Sequence, residues 1–219
     1  MNIAVKGSPE RSAELNQVLS SVGLNFTRLE STKNIHSANY DVIFDLNFDD
    51  DQSGLEDYEL LDGRSILILS SVKIQLDAFV PKHLHSSVAG INALQTFLSR
   101  PSVEYCVLSE EFDHDVFSKL GWTNINKVDS RVGLVSPRVV MMIINEAYYT
   151  LQEGTADRKD IDLGMKLGTA YPKGPFEWAE QIGIKDVFEV LDALYSDTRD
   201  ERYKICSKLK TEYIQNKQK

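Results

Sequence analysis

Between Gly133 and Gly183 the chain reads Asn145-Glu146-Ala147, Glu153-Gly154, Asp160-Ile161-Asp162, Gly168 and Pro172-Lys173-Gly174-Pro175-Phe176-Glu177. The last run decides how a helix starts. Gly174-Pro175 predicts a tight entry in which the glycine allows close approach and the proline occupies the first turn. Asn145 and Glu146 form a polar pair within an apolar stretch, so their side chains need hydrogen-bonding partners. These features predict helices packed closely on one another.

Helix start and stop signals extend this prediction in both directions. Ser136-Pro137 predicts an N-cap followed by proline at the first helical position, and the apolar helix from Val139 to Leu151 ends before Gly154. Asp157 starts a second helix that Gly168 closes. Further helices are predicted at 186–195 and 200–216. Beyond residues 127–131 nearly all of the chain has helical periodicity and cap signals. We therefore predict an all-α domain over residues 130–219.

The preceding residues have a different pattern, in which short apolar runs alternate with helical stretches. Strands are predicted at 2–5, 26–29, 42–46, 64–69, 86–90 and 103–108, with helices at 13–19 and 112–120. Continuous apolar runs of this length are typical of a parallel sheet covered on both faces. Residues 1–129 are therefore predicted to form an α/β domain.

The composition sets limits on the function. The chain has 219 residues, 42% hydrophobic and 26% charged, and a net charge of -9. This acidic balance argues against nucleic acid and anionic membranes as partners. Cys106 and Cys206 stand in no metal-binding or redox spacing, which favours free thiols in a reducing compartment. With no long apolar run and a strand at the start, we expect a cytoplasmic protein.

The runs between Gly133 and Gly183 resemble the C-terminal domain of the 3-hydroxyacyl-CoA dehydrogenase family. The resemblance continues more weakly into residues 1–129, where 40–45 look like the family's third strand and 69–74 like its fourth-strand loop. It implies a Rossmann-like N-terminal domain that binds NAD, a role in fatty acid metabolism, and a homodimer formed through the helical domain. Ser70 corresponds to the family's catalytic-loop serine.

The resemblance also shows where this sequence departs from the family's catalytic residues. The family has a histidine, followed twelve residues later by a glutamate; here these positions hold Asn92 and Glu104. Hydride transfer from a hydroxyl needs a base, and an amide does not titrate near neutral pH. Pro137 stands where the family has a substrate-facing asparagine. We therefore expect Asn92, Glu104, Ser70 and Pro137 to mark an eroded catalytic site.

The cofactor turn is altered in the same way. The family's Gly-x-Gly-x-x-Gly turn corresponds to Gly7-Ser8-Pro9-Glu10-Arg11-Ser12, in which only the first glycine remains. Pro9 removes an amide donor and Glu10 adds negative charge, while Arg11 offers a positive one. Glu30 is the candidate for the ribose-binding acid. Gly7, Arg11 and Glu30 are thus the candidate cofactor-binding residues, with NAD as the cofactor implied by resemblance.

Three functions remain open on the sequence. The protein is a dehydrogenase-like binding, scaffold or regulatory member without efficient hydride transfer; an active oxidoreductase on a 3-hydroxyacyl-CoA or related hydroxy acid; or a non-catalytic module for acyl-CoA or a nucleotide. His83 and His85 on one face of a strand are a candidate metal pair, although no third ligand is evident. His114 is a candidate replacement base beside Glu104.

Overall fold

The computed structural model describes residues 1–33, 35–61 and 63–217, with no side chain described for Ser86. The chain divides into two compact units, Met1–Leu134 and Val135–Lys219. This division lies five residues after the boundary predicted at 129/130. Gln218 and Lys219, the end of the predicted C-terminal helical domain, lie outside the described residues.

The first unit is built on a seven-stranded sheet within the described residues. Its strands are β1 (Ile3–Lys6), β2 (Phe26–Arg28), β3 (Val42–Asp45), β4 (Ile66–Ser70), β5 (Val88–Ile91), β6 (Ser102–Val107) and β7 (Asn124–Lys127). Their order is β2-β1-β3-β4-β5-β6-β7. The first five run parallel, as predicted, but β6 is antiparallel to β5, and β7 is parallel to β6. The sheet is therefore mixed.

The inner strands occupy the centre of this unit because most of their side chains are apolar on both faces. Every residue of β3 and β5 is buried, and the core cluster includes Phe44, Phe117 and Trp122. The covering helices are α1 (Pro9–Ser21), α2 (Leu55–Glu59) and α3 (Val116–Lys119), with 3-10 turns at Ile35–Ser37, Leu76–Ala78 and Lys82–Ser87.

Three predictions about this unit need correction. The helix predicted at 112–120 is a single turn, α3, and the edge strand β7 was not predicted. The strand predicted from Ser86 begins at Val88, since Lys82–Ser87 forms a 3-10 helix. β7 exposes three of its four residues and has the sequence Asn-Ile-Asn-Lys, so it lacks the apolar run that identified the other strands.

The second unit is helical among its described residues. Its helices are α4 (Ser136–Gln152), α5 (Arg158–Gly168), α6 (Pro175–Ile182), α7 (Ile184–Thr198) and α8 (Ser207–Asn216), with a 3-10 turn at Glu201–Tyr203. The helix starts predicted at Asp157 and at Gly174-Pro175 are confirmed, with Asp157 and Gly174 as the N-cap residues. The predicted N-cap Ser136 is wrong, since Val135 is the N-cap of α4 and Ser136 already belongs to the helix.

The helix predicted over 200–216 is interrupted, and Asn145 in α4 forms hydrogen bonds with the backbone at the break. Its amide nitrogen donates to the Lys204 carbonyl at 2.9 Å, and its side-chain oxygen accepts from the Cys206 amide at 2.9 Å. Asn145 is 2% exposed. One buried side chain thus satisfies the backbone groups left open where the helix breaks, which explains why a polar residue lies mid-helix.

Asp162 explains the Gly-Pro-Phe-Glu run. This α5 carboxylate accepts the backbone amides of Phe176 at 2.8 Å and Glu177 at 3.2 Å, so it caps α6 from a neighbouring helix. A Cβ added to Gly174 would lie 2.2 Å from the Asp162 carboxylate carbon. Glu177 accepts from the Gly174 amide at 2.9 Å and completes the cap. The glycine is therefore required by the cap.

Candidate functional site

The candidate cofactor turn joins β1 to α1. Gly7 lies against the next loop, since a Cβ there would meet the Leu46 side chain at 3.0 Å. Ser8 caps α1 through its hydroxyl, which accepts the Arg11 amide at 3.3 Å. The backbone amide of Ser8 points to Asn47, whose side-chain oxygen lies 3.4 Å away. An amide at the start of the helix, which a bound phosphate would use, thus faces the protein's own side chain.

Arg11, the candidate cation for a cofactor, is 6% exposed and turned inward. Its guanidinium donates to the Leu46 carbonyl at 2.5 Å. It also lies 3.8 Å from an Asp49 carboxylate oxygen and 3.5 Å from one of Asp50. The segment after β3 therefore supplies both a carbonyl and two carboxylates to the one arginine of the turn.

Asp49 and Asp50 are held in turn by residues that follow β4. One oxygen of Asp49 accepts the Val72 amide at 3.0 Å and faces the Lys73 amide at 3.4 Å. The Lys73 ammonium donates to Asp50 at 2.5 Å. Burial raises the pKa of Asp49, although the charges of Arg11 and Lys73 oppose the rise. The carboxyl ends of β1, β3 and β4 therefore meet in one ionic cluster.

A second part of this cluster surrounds Asp45, the last residue of β3. Lys6 donates to it at 3.1 Å, and the Tyr58 hydroxyl donates to the same oxygen at 2.8 Å. Lys6 also lies 3.6 Å from Asp51. Burial raises the pKa of Asp45, while Lys6 and Tyr58 act against the rise. Asp45 and the acidic residues 49–51 were not among the candidates predicted from the sequence, because their partners Lys6, Tyr58 and Lys73 come from three separate segments.

Glu30 lies two residues beyond β2, at the carboxyl edge of the sheet. Its side chain is 88% exposed and lies 3.6 Å from the Arg28 guanidinium. An acid at this edge has the location expected for a ribose-binding residue, and its exposed side chain can change conformation. The role assigned to Glu30 from the sequence stays a prediction.

The strand register brings Asn92 and Glu104 to the same place. Ile91 pairs with Tyr105 in the antiparallel ladder of β5 and β6, so one further step sets Asn92 opposite Glu104. Asn92 is 6% exposed, and its side-chain oxygen accepts the Leu94 amide at 3.1 Å. Burial lowers the pKa of Arg100, and the nearby negative charges of Glu14 and Glu104 oppose this decrease. The twelve-residue spacing in the sequence thus corresponds to adjacent positions in the sheet.

Two other candidates from the sequence occupy fixed structural positions. Ser70 is the last residue of β4 and is fully buried, with its hydroxyl close to Asp49, where it slightly opposes the rise that burial causes in the pKa of that carboxyl. Pro137 is buried in the first turn of α4. Neither side chain can take over the acid–base work of a histidine.

The histidine candidates are not supported by their positions. The His114 Nδ1 atom lies 2.8 Å from the Tyr105 hydroxyl. Successive strand residues point to opposite faces, so His114 contacts the face away from Glu104. His83 and His85 belong to a 3-10 helix, where residues two apart do not share a face. The His85 Nε2 atom lies 3.0 Å from the Val80 carbonyl.

The helical unit contains a separate apolar groove of about 760 Å3 along α4 and α5. Apolar side chains dominate its wall, including Val139, Met142, Ile143, Ile161 and Met165. Beside it, Leu163 and Leu167 of α5 are 52% and 78% exposed. Sequence reasoning had no signal for the groove itself, because an apolar helical stripe equally predicts a covered core. None of the described helices is both long and apolar enough to span a bilayer.

Comparison with known proteins agrees with this architecture. Residues 133–218 match the family described as 3-hydroxyacyl-CoA dehydrogenase, C-terminal domain. The chain is 44% identical over 78 residues to a 3-hydroxyadipyl-CoA dehydrogenase of Escherichia coli K12, covering 36% of this chain and 16% of that protein. It is 38% identical over 105 residues to a probable 3-hydroxybutyryl-CoA dehydrogenase of Bacillus subtilis 168, covering 47% and 36%. The matched stretches thus span a minor part of these relatives.

The likeness in fold extends further than the likeness in sequence. The crystal structure of an (S)-3-hydroxybutyryl-CoA dehydrogenase from Ralstonia eutropha superposes with a TM-score of 0.74 at 19% identity, covering 96% of this chain and 92% of that one. Residues 133–218 therefore form a domain of the 3-hydroxyacyl-CoA dehydrogenase C-terminal family, and nearly the whole chain has the fold of the Ralstonia eutropha enzyme.

Proposed function

We propose that this chain is a 3-hydroxyacyl-CoA dehydrogenase-like protein that does not transfer hydride efficiently and that acts as a binding, scaffold or regulatory dimer. The observation that carries the proposal is the cluster at the β1–α1 turn. There Arg11 and the Ser8 amide are directed toward the protein's own Leu46, Asn47, Asp49 and Asp50.

NAD is the cofactor that family membership implies, and the residues of this turn do not fit it. A dinucleotide places its pyrophosphate against bare amides at the start of the helix. Here Pro9 has no amide hydrogen, Asn47 faces the Ser8 amide, and two carboxylates stand beside Arg11. Bringing further negative charge to this place would set it against existing negative charge.

The proton chemistry leads to the same proposal. Oxidising a hydroxyl requires a group that accepts its proton, and the position opposite Glu104 holds Asn92. The Asn92 side-chain oxygen already accepts the Leu94 amide, and an amide nitrogen carries no lone pair available as a base. Glu104 could orient a neighbour but has no basic ring to orient. The pair therefore lacks the histidine that serves as the base in the family.

The apolar groove supports assembly through the helical unit. A side chain such as Leu167, 78% exposed beside exposed Leu163, loses unfavourable hydration when another apolar surface covers it. We propose a second copy as the covering surface, since the family forms its dimer through this domain. Leu167→Glu combined with Val139→Glu should convert a dimer to a monomer in light scattering. Ile214→Glu, on α8 and outside the groove wall, is the matched control.

The catalytic part of the proposal is tested by calorimetric titration of NADH, with and without acetoacetyl-CoA, together with a turnover assay on the same protein. We expect no NADH binding and no turnover. Micromolar NADH binding with turnover would overturn the proposal and favour an active oxidoreductase. Binding of acetoacetyl-CoA without turnover would favour the non-catalytic acyl-CoA module.

A further inference from the structure

The β1–α1 turn of this chain has the cations of an anion site together with internal carboxylates that neutralise them. Lys6, Arg11 and Lys73 supply three positive charges, at 3.1 Å from Asp45, 3.5 Å from Asp50 and 2.5 Å from Asp50 respectively. The carboxylates Asp45, Asp49, Asp50 and Asp51 lie among them. Among the described residues of the first unit, these contacts set four carboxylates beside three cations.

The geometry points to Asp49 and Asp50 as a built-in substitute for a bound anion: we infer that they hold Arg11 and Lys73 as a pyrophosphate would, so that removing their charge opens a pyrophosphate site. This deepens the proposed function, on which it rests only for the loss of dinucleotide binding. Asp49 reaches the cations from a loop that is itself fixed, because its carboxylate accepts the Val72 amide at 3.0 Å.

The burial of these groups supports a built contact. The side chains of Arg11 and Lys73 are each 7% exposed, that of Asp49 is 0% exposed, and that of Asp50 is 21% exposed. Charges that are withdrawn from water need partners, since burying an unpaired charge is costly. A dinucleotide phosphate could fill the same requirement, but the chain encodes the carboxylates in the segment after β3, at an effective concentration that no free anion matches.

Substitution by asparagine isolates the charge. The Asn side-chain oxygen at position 49 can still accept the Val72 amide, so the loop keeps its main hydrogen bond. Without the Asp49 and Asp50 charges, Arg11 and Lys73 lose the two carboxylates that the segment after β3 sets beside them, and the turn becomes more positive. The N-terminus of α1 also carries a partial positive charge, which favours a bound anion.

The test is a titration of inorganic pyrophosphate into the full chain and into Asp49→Asn/Asp50→Asn, read by calorimetry and by the shift in melting temperature. We expect the double variant to bind at least about tenfold more tightly than the wild type, a difference of about 1.4 kcal/mol, and to melt higher when pyrophosphate is present. Asp50→Asn alone should give a smaller gain and serves if the double variant does not fold.

The matched control is Glu110→Gln/Asp113→Asn, which removes two carboxylates from exposed pairs with Lys127 and Lys119. An equal gain in this control would overturn the inference, because net charge alone would then explain the binding. A folded double variant without any gain, or a wild type that binds as tightly as the variant, would overturn it as well. Turnover with NADH and acetoacetyl-CoA tests the proposed function separately, since pyrophosphate binding reports only on this turn.

Discussion

Replacing Asp162 by alanine tests whether α6 depends on a cap supplied by α5. The change removes the acceptor for two backbone amides, those of Phe176 at 2.8 Å and Glu177 at 3.2 Å, and the carboxylate is 9% exposed. Losing a helix cap costs roughly 0.5–2 kcal/mol, and each buried donor left without a partner costs about 1–3 kcal/mol. The Phe176 amide is buried and the Glu177 amide is partly buried, so we expect a loss of about 2 kcal/mol.

The assay is urea unfolding followed by tryptophan fluorescence. Trp178 lies in α6 and Trp122 in the first unit, so a Trp122→Phe background reports on the helical unit alone. A loss of about 2 kcal/mol changes the unfolding constant roughly thirtyfold and moves the midpoint by about 1–2 M. Asp162→Asn keeps one acceptor and should lose about half as much. A midpoint unchanged by Asp162→Ala would refute the cap as a source of stability.

Three further predictions follow from single contacts. Gly174→Ala should destabilise the helical unit by about 1–3 kcal/mol in urea unfolding, because its methyl group would lie 2.2 Å from the capping carboxylate, whereas Gly164→Ala, with nothing within 4 Å, should not. Asn145→Ala should cost about 2–3 kcal/mol and speed amide hydrogen exchange at Cys206, and unchanged exchange there would contradict the bridging role. Because burial raises the pKa of Asp49 above its unfolded value of about 3.9, the stability of the wild type relative to Asp49→Asn should increase as pH falls toward that value and decrease as pH rises through the folded pKa; a stability difference independent of pH in urea titrations would contradict this.

Only part of the candidate site could be predicted from the sequence. The resemblance to the family linked Asn92 with Glu104, and the antiparallel ladder of β5 and β6 places these two positions opposite each other. The loss of the glycine-rich turn was equally visible. The partners of Arg11 could not be predicted from the sequence. Asp49 and Asp50 are almost forty residues away, and only the pairing of β1 with β3 brings them close to Arg11.

The break before α8 could not be predicted from the sequence either, because it depends on a contact between distant residues. Residues 200–216 have helical composition throughout, and local preference favours one continuous helix. Asn145 opposes this preference for a continuous helix, because it forms hydrogen bonds with the non-helical backbone at Lys204 and Cys206. A side chain from about sixty residues upstream thus outweighs a local preference worth only tenths of a kcal/mol per residue.

By itself the sequence determined where most helices and strands form, which half is α/β and which is helical, and which family the helical half resembles. These features depend on caps, turns and apolar periodicity within a few residues of one another, so they can be read locally. Only the tertiary structure decided the reversed direction of β6, the break before α8 and the neutralised cations at the β1–α1 turn. Each of these depends on contacts between distant segments, whose energies are set by burial and geometry that no local pattern contains.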